Sequence, residues 1–234
     1  IYSFGIGTDI SFDLEAAKKF KVPIFMYDPT PKVSEYMKQF SNNKNFVFTN
    51  EGIFSEEKTI KFYLSNVKNK VNSSIYPIHG KESPYEYVKC RTLSDFMKIN
   101  KHDRIDILKM DIEGAAVDVM EDMLKNTSIR PNQIVTEIEV INIENPLTYM
   151  PRVIDLMQKL KSNNYEIYNQ KLTRKVSLEL IFVQRKLINK KFIHPKSFFY
   201  KYFNLLKNDL KTLFQKYKQI IFKDLKRAFS NKLK

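Results

Sequence analysis

A strand, a glycine turn and a helix open the chain, and this unit limits the available folds more than any other segment. IYSFGIG at residues 1–7 predicts a short apolar strand, and ISFDLEAAKKF at residues 10–20 predicts a helix. Gly5 and Gly7 lie between them in FGIGTD. A strand, a tight glycine turn and a helix N-terminus form the phosphate or cofactor cradle of nucleotide-binding α/β folds.

Strands and helices continue to alternate after this unit. The predicted strands are residues 1–5, 22–27, 46–49, 105–110, 133–139, 165–168 and 178–184, and the predicted helices are about residues 11–20, 32–40, 92–99, 114–125 and 147–162. The succession predicts an α/β fold with a mostly parallel, doubly wound sheet. The pattern loosens between residues 50 and 90, where we expect a lid or a substrate loop.

Charge divides the chain into a body and a tail. Residues 1–184 hold 25 Lys and Arg against 24 Asp and Glu, whereas residues 185–234 hold 15 against 2. From Ser197 onward, apolar residues recur every three or four positions with lysines between them, which predicts a basic amphipathic helix. We therefore expect a catalytic body at residues 1–184 and a helical tail at residues 185–234.

Three partners fit such a tail: the body itself, an anionic membrane surface reached through residues 197–234, or nucleic acid or another acidic partner. Phosphate binding needs only Lys and Arg, whereas the apolar stripe needs an apolar surface, so packing or membrane contact is favoured over nucleic acid. No run of about 18 apolar residues exists, and no membrane-spanning helix is expected. Ile1 begins inside a predicted strand, so we expect the natural chain to start earlier, and the compartment stays open between cytoplasm and membrane surface.

An acid follows the second strand at the spacing of a ribose-binding residue. Asp28 in VPIFMYDPTP lies 21 residues after Gly7, close to the interval found in Rossmann-like nucleoside sites. Asp28 also precedes Pro29, so a simple turn role is the alternative. A nucleoside-containing cofactor is therefore predicted.

Asp9 disfavours a dinucleotide. It places an anion where a pyrophosphate would lie, and Ile10 replaces the third glycine of a G-x-G-x-x-G loop. S-adenosylmethionine carries no phosphate but has a sulfonium and an ammonium, which an acid tolerates. The alternative for Asp9 is N-capping of the first helix.

Further acids end the next two strands. LKMDIEGAAVDVM at residues 108–120 brings Asp111 and Glu113 to the carboxyl edge of the sheet, although both could instead cap the following helix. Glu137 and Glu139 in IVTEIEV share one face of their strand. Because buried carboxylates are costly, Glu137 is expected to line a site or to pair with a nearby Lys or Arg.

The remaining candidates are histidine and cysteine. Cys90 is the single cysteine, and the histidines at positions 79, 102 and 194 are scattered, so no metal site is expected. His79 lies in the turn-rich segment IYPIHGKES, from which a lid residue could reach a pocket.

Four segments resemble the FkbM-type S-adenosylmethionine-dependent methyltransferases, especially a related branch whose first motif reads S-F-G. The segments are YSFGIGTDISFD, MYDPTP, CRTLSDFMKINKHDRIDILKMDIEGAA and IVTEIEV. The resemblance covers about residues 1–184 and implies the Rossmann-like fold of class I methyltransferases. The most specific part is the T-L-x-D/S segment followed by I-D-x-L-K-x-D-I-E-G.

The resemblance also implies roles for individual residues. Gly5 and Gly7 would line the methionine portion of S-adenosylmethionine, Asp28 would hold the ribose hydroxyls, and Asp111 with Glu113 would face the cofactor and acceptor pocket. Three positions depart from the family pattern: Ser3 replaces a common acid, Asp9 replaces a glycine, and Ala116 replaces a common acid.

These observations predict methyl transfer to a hydroxyl of a sugar or other small molecule. Asp111 is the first candidate for the general base, Glu137 the second, and His79 a third. Two other functions compete: a binding or scaffold protein that keeps the fold without turnover, and an NAD-dependent oxidoreductase.

Overall fold

The computed structural model describes residues 1–64, 73–75, 84–139, 146–172 and 177–188. The strands are β1 Tyr2–Phe4, β2 Ile24–Tyr27, β3 Phe46–Thr49, β4 Gly52–Ile53, β5 Lys58–Leu64, β6 Ser73–Ser74, β7 Tyr85–Arg91, β8 Ile107–Met110, β9 Gln133–Glu139, β10 Tyr165–Leu172 and β11 Ser177–Gln184. The α-helices are α1 Ser11–Phe20, α2 Pro31–Met37, α3 Leu93–Asn100, α4 Ala116–Asn126 and α5 Pro146–Ser162. His79 and the predicted tail helix lie outside the described residues.

Seven strands form one large sheet in the order β10-β11-β9-β8-β1-β2-β3. The five strands from β9 to β3 run parallel, and β11 is antiparallel to both of its neighbours. From β1 the chain builds outward through β2 and β3, and from β8 it builds in the other direction. Ligands of open α/β sheets bind at such a reversal, at the carboxyl ends of the strands. The predicted mostly parallel α/β fold is confirmed.

Helices cover both faces of this sheet because successive strand residues point to opposite faces. On one face, α1 and α2 pack on β2 through a cluster that includes Ala16, Val33 and Met26. On the other face, Phe96 of α3 packs against Phe4 and Tyr27, and α4 contacts both α3 and α5. The core therefore lies in two layers on either side of β1, β2 and β8.

The described residues between positions 50 and 90 include strands in the region where the sequence predicts a lid or a substrate loop. Its described strands form a second sheet in the order β4-β7-β5-β6, in which Ile53, Val88 and Cys90 are buried. The segment KTIKFYL forms β5. The lid or loop interpretation is therefore wrong for Ile53, Val88 and Cys90, whose side chains are buried, whereas Tyr85 and Tyr87 of β7 are exposed.

No helix in the described part of the chain is long and apolar enough to cross a membrane.

Candidate active site

A cavity of about 520 Å³ lies where the sheet order reverses. The loops after β1, β2 and β8 form one side of it, and residues of the second sheet, among them Phe62 and Cys90, form another. The predicted site residues that line it are Gly5, Gly7, Asp9, Asp28, Asp111 and Glu113. The fold thus brings together acids that lie more than 100 positions apart in the sequence.

Gly5 is where the loops after β1 and β8 touch. Its φ is +69°, and a Cβ at this position would lie 1.8 Å from the backbone oxygen of Asp111. The N–H of Gly5 donates to the Tyr27 carbonyl at 2.9 Å, and the N–H of Asp111 donates to the Phe4 carbonyl at 3.1 Å. A glycine is therefore required for the two loops to approach each other.

Asp28 ties the loop after β1 to the turn after β2. Its Oδ2 accepts the backbone N–H of Gly7 at 3.0 Å, and its Oδ1 accepts the N–H of Thr30 at 2.9 Å. The side chain of Asn50 donates to the Asp28 carbonyl at 2.7 Å. The turn role is therefore present, and the same buried carboxylate also borders the cavity.

Asp9 is exposed at the start of α1. Its carboxylate accepts the backbone N–H of Ser11 at 3.1 Å, and hydrogen bonds from Ser11 lower the pKa of Asp9. The residue at the N-cap position itself is Ile10, which makes no side-chain cap. Asp9 thus satisfies one N–H of the first turn while it also lines the cavity.

Asp111 and Glu113 lie in a turn, because α4 begins only at Ala116 and Ala115 occupies its N-cap position. The predicted helix start at residue 114 is therefore two residues early. Glu113 has a φ of +24° and Gly114 a φ of +95°, so the backbone between β8 and α4 is strained at Glu113. The turn holds both acids at the cavity rather than along the helix.

Glu137 is not among the described residues that line the cavity. Its carboxylate accepts a hydrogen bond from the hydroxyl of Ser177 in the neighbouring strand β11. Thr136 pairs with Met110 of β8, so Glu137 follows at the same edge of the sheet as Asp111 without lining the cavity. A role for Glu137 in the site stays a prediction.

An aromatic wall supports the cavity behind Tyr27. The rings of Phe4 and Tyr27 stack at 4.6 Å between centroids. Asn100 donates its side-chain N–H groups to the hydroxyls of Tyr27 at 2.6 Å and Tyr2 at 3.0 Å. The Tyr2 hydroxyl also lies 2.8 Å from Nδ1 of His102, so this histidine forms a hydrogen bond with the aromatic wall.

Sequence reasoning missed Asp13 of α1. The residue is 0% exposed, and neither carboxylate oxygen has a hydrogen-bonding partner. Burial raises the pKa of Asp13, and the nearby charge of Lys109 offsets that effect only in part. Asp13 precedes the buried Ala16 and Ala17 by three and four positions, so the helical period could have indicated that it faces inward.

Replacing Asp13 with Asn is expected to stabilise the protein at neutral pH by about 1 to 3 kcal/mol. Because the folded pKa is raised, the penalty is absent below the unfolded pKa of about 4, grows as the pH rises through the folded pKa and is complete above it. Urea denaturation of both proteins between pH 4 and pH 8 measures the difference. A difference that does not shrink toward pH 4 would contradict a charge effect.

Gly7 offers a contrast to Gly5. Its φ is +57°, but a Cβ would meet no atom within 4 Å. Gly7→Ala is therefore expected to cost only about 1 kcal/mol of stability, while its methyl group narrows the cavity and weakens ligand binding about tenfold or more. Calorimetry with S-adenosylhomocysteine, alongside urea denaturation, measures both effects. Unchanged affinity would show that the ligand does not approach Gly7.

In the described part of the chain, no group of three His, Cys, Asp or Glu side chains could hold a metal ion.

The sheet order, the glycine turn and the acids at the strand ends define a Rossmann-like domain. A family model described as the methyltransferase FkbM domain matches residues 9–167. The chain belongs to this family, and the resemblance noted in the sequence is confirmed.

Solved structures with a similar arrangement share little sequence with the chain. Methyltransferase FkbM from Methylobacillus flagellatus KT is 12% identical, with a TM-score of 0.48 over 78% of this chain and 42% of that chain. The fibrillarin pre-rRNA processing protein of Methanococcus jannaschii is 8% identical, with a TM-score of 0.47 over 79% of this chain and 65% of that chain. The chain thus spans less than two thirds of either protein. No curated protein sequence matches it.

Proposed function

We propose that this domain binds S-adenosylmethionine in the cavity and transfers its methyl group to a hydroxyl of a sugar or other small molecule. The observation that carries the proposal is the convergence of four carboxylates on an open cavity beside two left-handed glycines, where β1 and β8 end. Family membership adds the methyltransferase class.

The lining residues fit this cofactor better than a dinucleotide. Asp9, Asp28, Asp111 and Glu113 favour cationic groups, and S-adenosylmethionine brings a sulfonium and an ammonium. A pyrophosphate would instead lie beside Asp9 at the start of α1, where its charges repel. The acids therefore disfavour NAD as the ligand.

Each residue receives a role from its position. The carboxylate of Asp28 has acceptor capacity left for the ribose hydroxyls, because each of its oxygens accepts one described backbone N–H. Gly5 and Gly7 offer bare backbone to the methionine portion, and Glu113 borders the same space from the β8 side. When bound, S-adenosylmethionine would supply an electrophilic methyl group: an acceptor oxygen attacks its carbon in line while the bond from that carbon to sulfur breaks, and S-adenosylhomocysteine leaves.

Asp111 is the proposed general base. It is exposed at the cavity, so its carboxylate can accept the proton of an acceptor hydroxyl as that oxygen attacks. Glu137 and His79 remain secondary candidates, since Glu137 is not among the residues that line the cavity and His79 lies outside the described residues.

Calorimetry with S-adenosylmethionine, S-adenosylhomocysteine and NAD tests the proposal. We expect both adenosyl compounds to bind and NAD not to bind. A preference for NAD, or binding of none of them, would contradict the proposal. Cofactor binding without methyl transfer to any of a panel of sugars and small hydroxyl compounds would instead favour the scaffold function.

The basic tail is proposed to bind an anionic membrane surface through residues 197–234. Its 15 Lys and Arg against two acids in residues 185–234 and its apolar stripe support this proposal. A chain ended after Arg185 should keep cofactor binding but lose affinity for vesicles of phosphatidylserine and phosphatidylcholine, an affinity that in the full chain falls as salt rises. Loss of folding on truncation would show that the stripe packs on the body, and equal vesicle binding would exclude the tail as the contact.

A further inference from the structure

The described residues that line the cavity include one basic side chain. Four are acids, and the base is Lys109. S-adenosylmethionine carries two cationic groups, a sulfonium and an ammonium, and one anionic carboxylate. The four acids can attract the cationic groups, and Lys109 supplies the positive charge that the carboxylate needs. We propose that Lys109 binds the carboxylate of the methionine portion of S-adenosylmethionine. This inference rests on the proposed function.

The position of Lys109 in β8 supports this role. Lys109 is the last residue but one of the strand and pairs with Ser3 of β1, so both side chains lie on the face that α1 covers. Two residues after Ser3 the chain reaches Gly5, and two residues after Lys109 it reaches Asp111. Lys109 is half-buried and lines the cavity together with Gly5 and Gly7, where the methionine portion is proposed to lie.

The charge of Lys109 acts on two acids at the N-terminal end of α1. The charge of Lys109 lowers the pKa of Asp13 against the larger effect of burial, and it contributes to the lowered pKa of Asp9, in which Ser11 is the main cause. Neither oxygen of Asp13 accepts a hydrogen bond. The buried acid therefore holds a cation nearby without occupying its hydrogen-bond donors, which leaves them for a ligand carboxylate.

The test compares ligands that differ in this end. S-adenosylhomocysteine has the carboxylate, its decarboxylated analogue lacks that group alone, and 5′-methylthioadenosine lacks the whole amino-acid end. Calorimetry should show that Lys109→Gln lowers the affinity for S-adenosylhomocysteine about 10- to 100-fold, as expected for the loss of one charged hydrogen bond. Binding of 5′-methylthioadenosine should change less than about twofold, because its ribose and adenine contacts remain.

Two control variants sharpen the result. Lys109→Arg should restore most of the affinity, since it keeps the charge. Lys98→Gln removes an exposed lysine outside the cavity and should leave all three affinities unchanged. The proposal would be overturned if Lys109→Gln lowered the affinities for S-adenosylhomocysteine and 5′-methylthioadenosine equally, or lowered neither.

The parent protein gives a measurement that does not depend on the folding of a variant. It should bind S-adenosylhomocysteine about 10- to 100-fold more tightly than the decarboxylated analogue. Equal affinity would reject the role of Lys109 while leaving the proposed function intact. Binding of none of the three adenosyl compounds would reject the proposed function itself, so the two failures are distinguishable.

Discussion

The Gly5→Ala protein is expected to lose about 3 to 5 kcal/mol of its free energy of unfolding, combining the cost of a left-handed alanine with that of backbone overpacking. An added Cβ would lie 1.8 Å from the carbonyl oxygen of Asp111 and 2.7 Å from its carbonyl carbon. Neither atom can rotate away, because both belong to backbone. The ends of β1 and β8 would have to separate. The loss is large, because the whole free energy of unfolding of a domain is only about 5 to 15 kcal/mol.

Gly7→Ala is the matched control for this prediction. Both glycines have positive φ, +69° at Gly5 and +57° at Gly7, but open space surrounds a Cβ at Gly7. The difference between the two variants in urea denaturation therefore isolates the steric clash with Asp111. Equal losses of stability would mean that the loops after β1 and β8 are not in contact.

Asp111→Asn is expected to reduce turnover about 10²- to 10⁴-fold, the usual contribution of a general base. Asparagine keeps the size of the side chain and the backbone hydrogen bond from residue 111 to Phe4. Its neutral amide, however, cannot take up the proton of the hydroxyl that is methylated. The affinity for S-adenosylhomocysteine should change by less than about tenfold, since the carboxylate acts mainly in the transition state. Single-turnover rates and calorimetry on the same protein separate the two effects.

Asp103→Asn provides the control for Asp111. Asp103 is an exposed acid in the loop that precedes β8, at the opposite end of that strand from the cavity. Its replacement should leave turnover and affinity unchanged. If Asp111→Asn also leaves turnover unchanged, the acceptor does not need this carboxylate, and Glu137 becomes the next residue to replace.

The periodicity of apolar residues and the positions of turn residues predicted most helices and strands, because these signals are local in the sequence. Helix α1 was expected at residues 11–20 and is found at Ser11–Phe20, and β9 was expected at residues 133–139 and is found there. The start of α4 is later than predicted because Glu113 and Gly114 have left-handed backbone. A run of apolar residues does not reveal such a turn.

The second sheet was not predicted, because its stability depends on contacts between distant residues. Gly52 and Ile53 form a two-residue strand that pairs with Cys90 and Arg91. So short a segment has no periodicity of its own, and only its partner strand defines it. Pairing of this kind has no local sequence signal.

Six of the predicted site residues line the cavity because strand ends can be recognised in sequence. The spacing of Gly7 and Asp28 indicated a shared site, and a hydrogen bond of 3.0 Å joins them. The contact of Gly5 with Asp111 depends on which strands are neighbours, which the sequence alone does not determine. Asp13 was missed because an acid in the first turn of a helix is favourable without being buried.

The central strand β1 has a consequence for how the chain acquires its structure during synthesis. Tyr2 pairs with Leu108 on one side and with Phe25 on the other. At ribosomal speeds of about 5 to 20 residues per second, the first strand waits roughly 5 to 20 s for its second neighbour to be made. Until then its unpaired edge is open to other chains and to chaperones, so the vulnerable period of this protein comes before residue 110 leaves the ribosome.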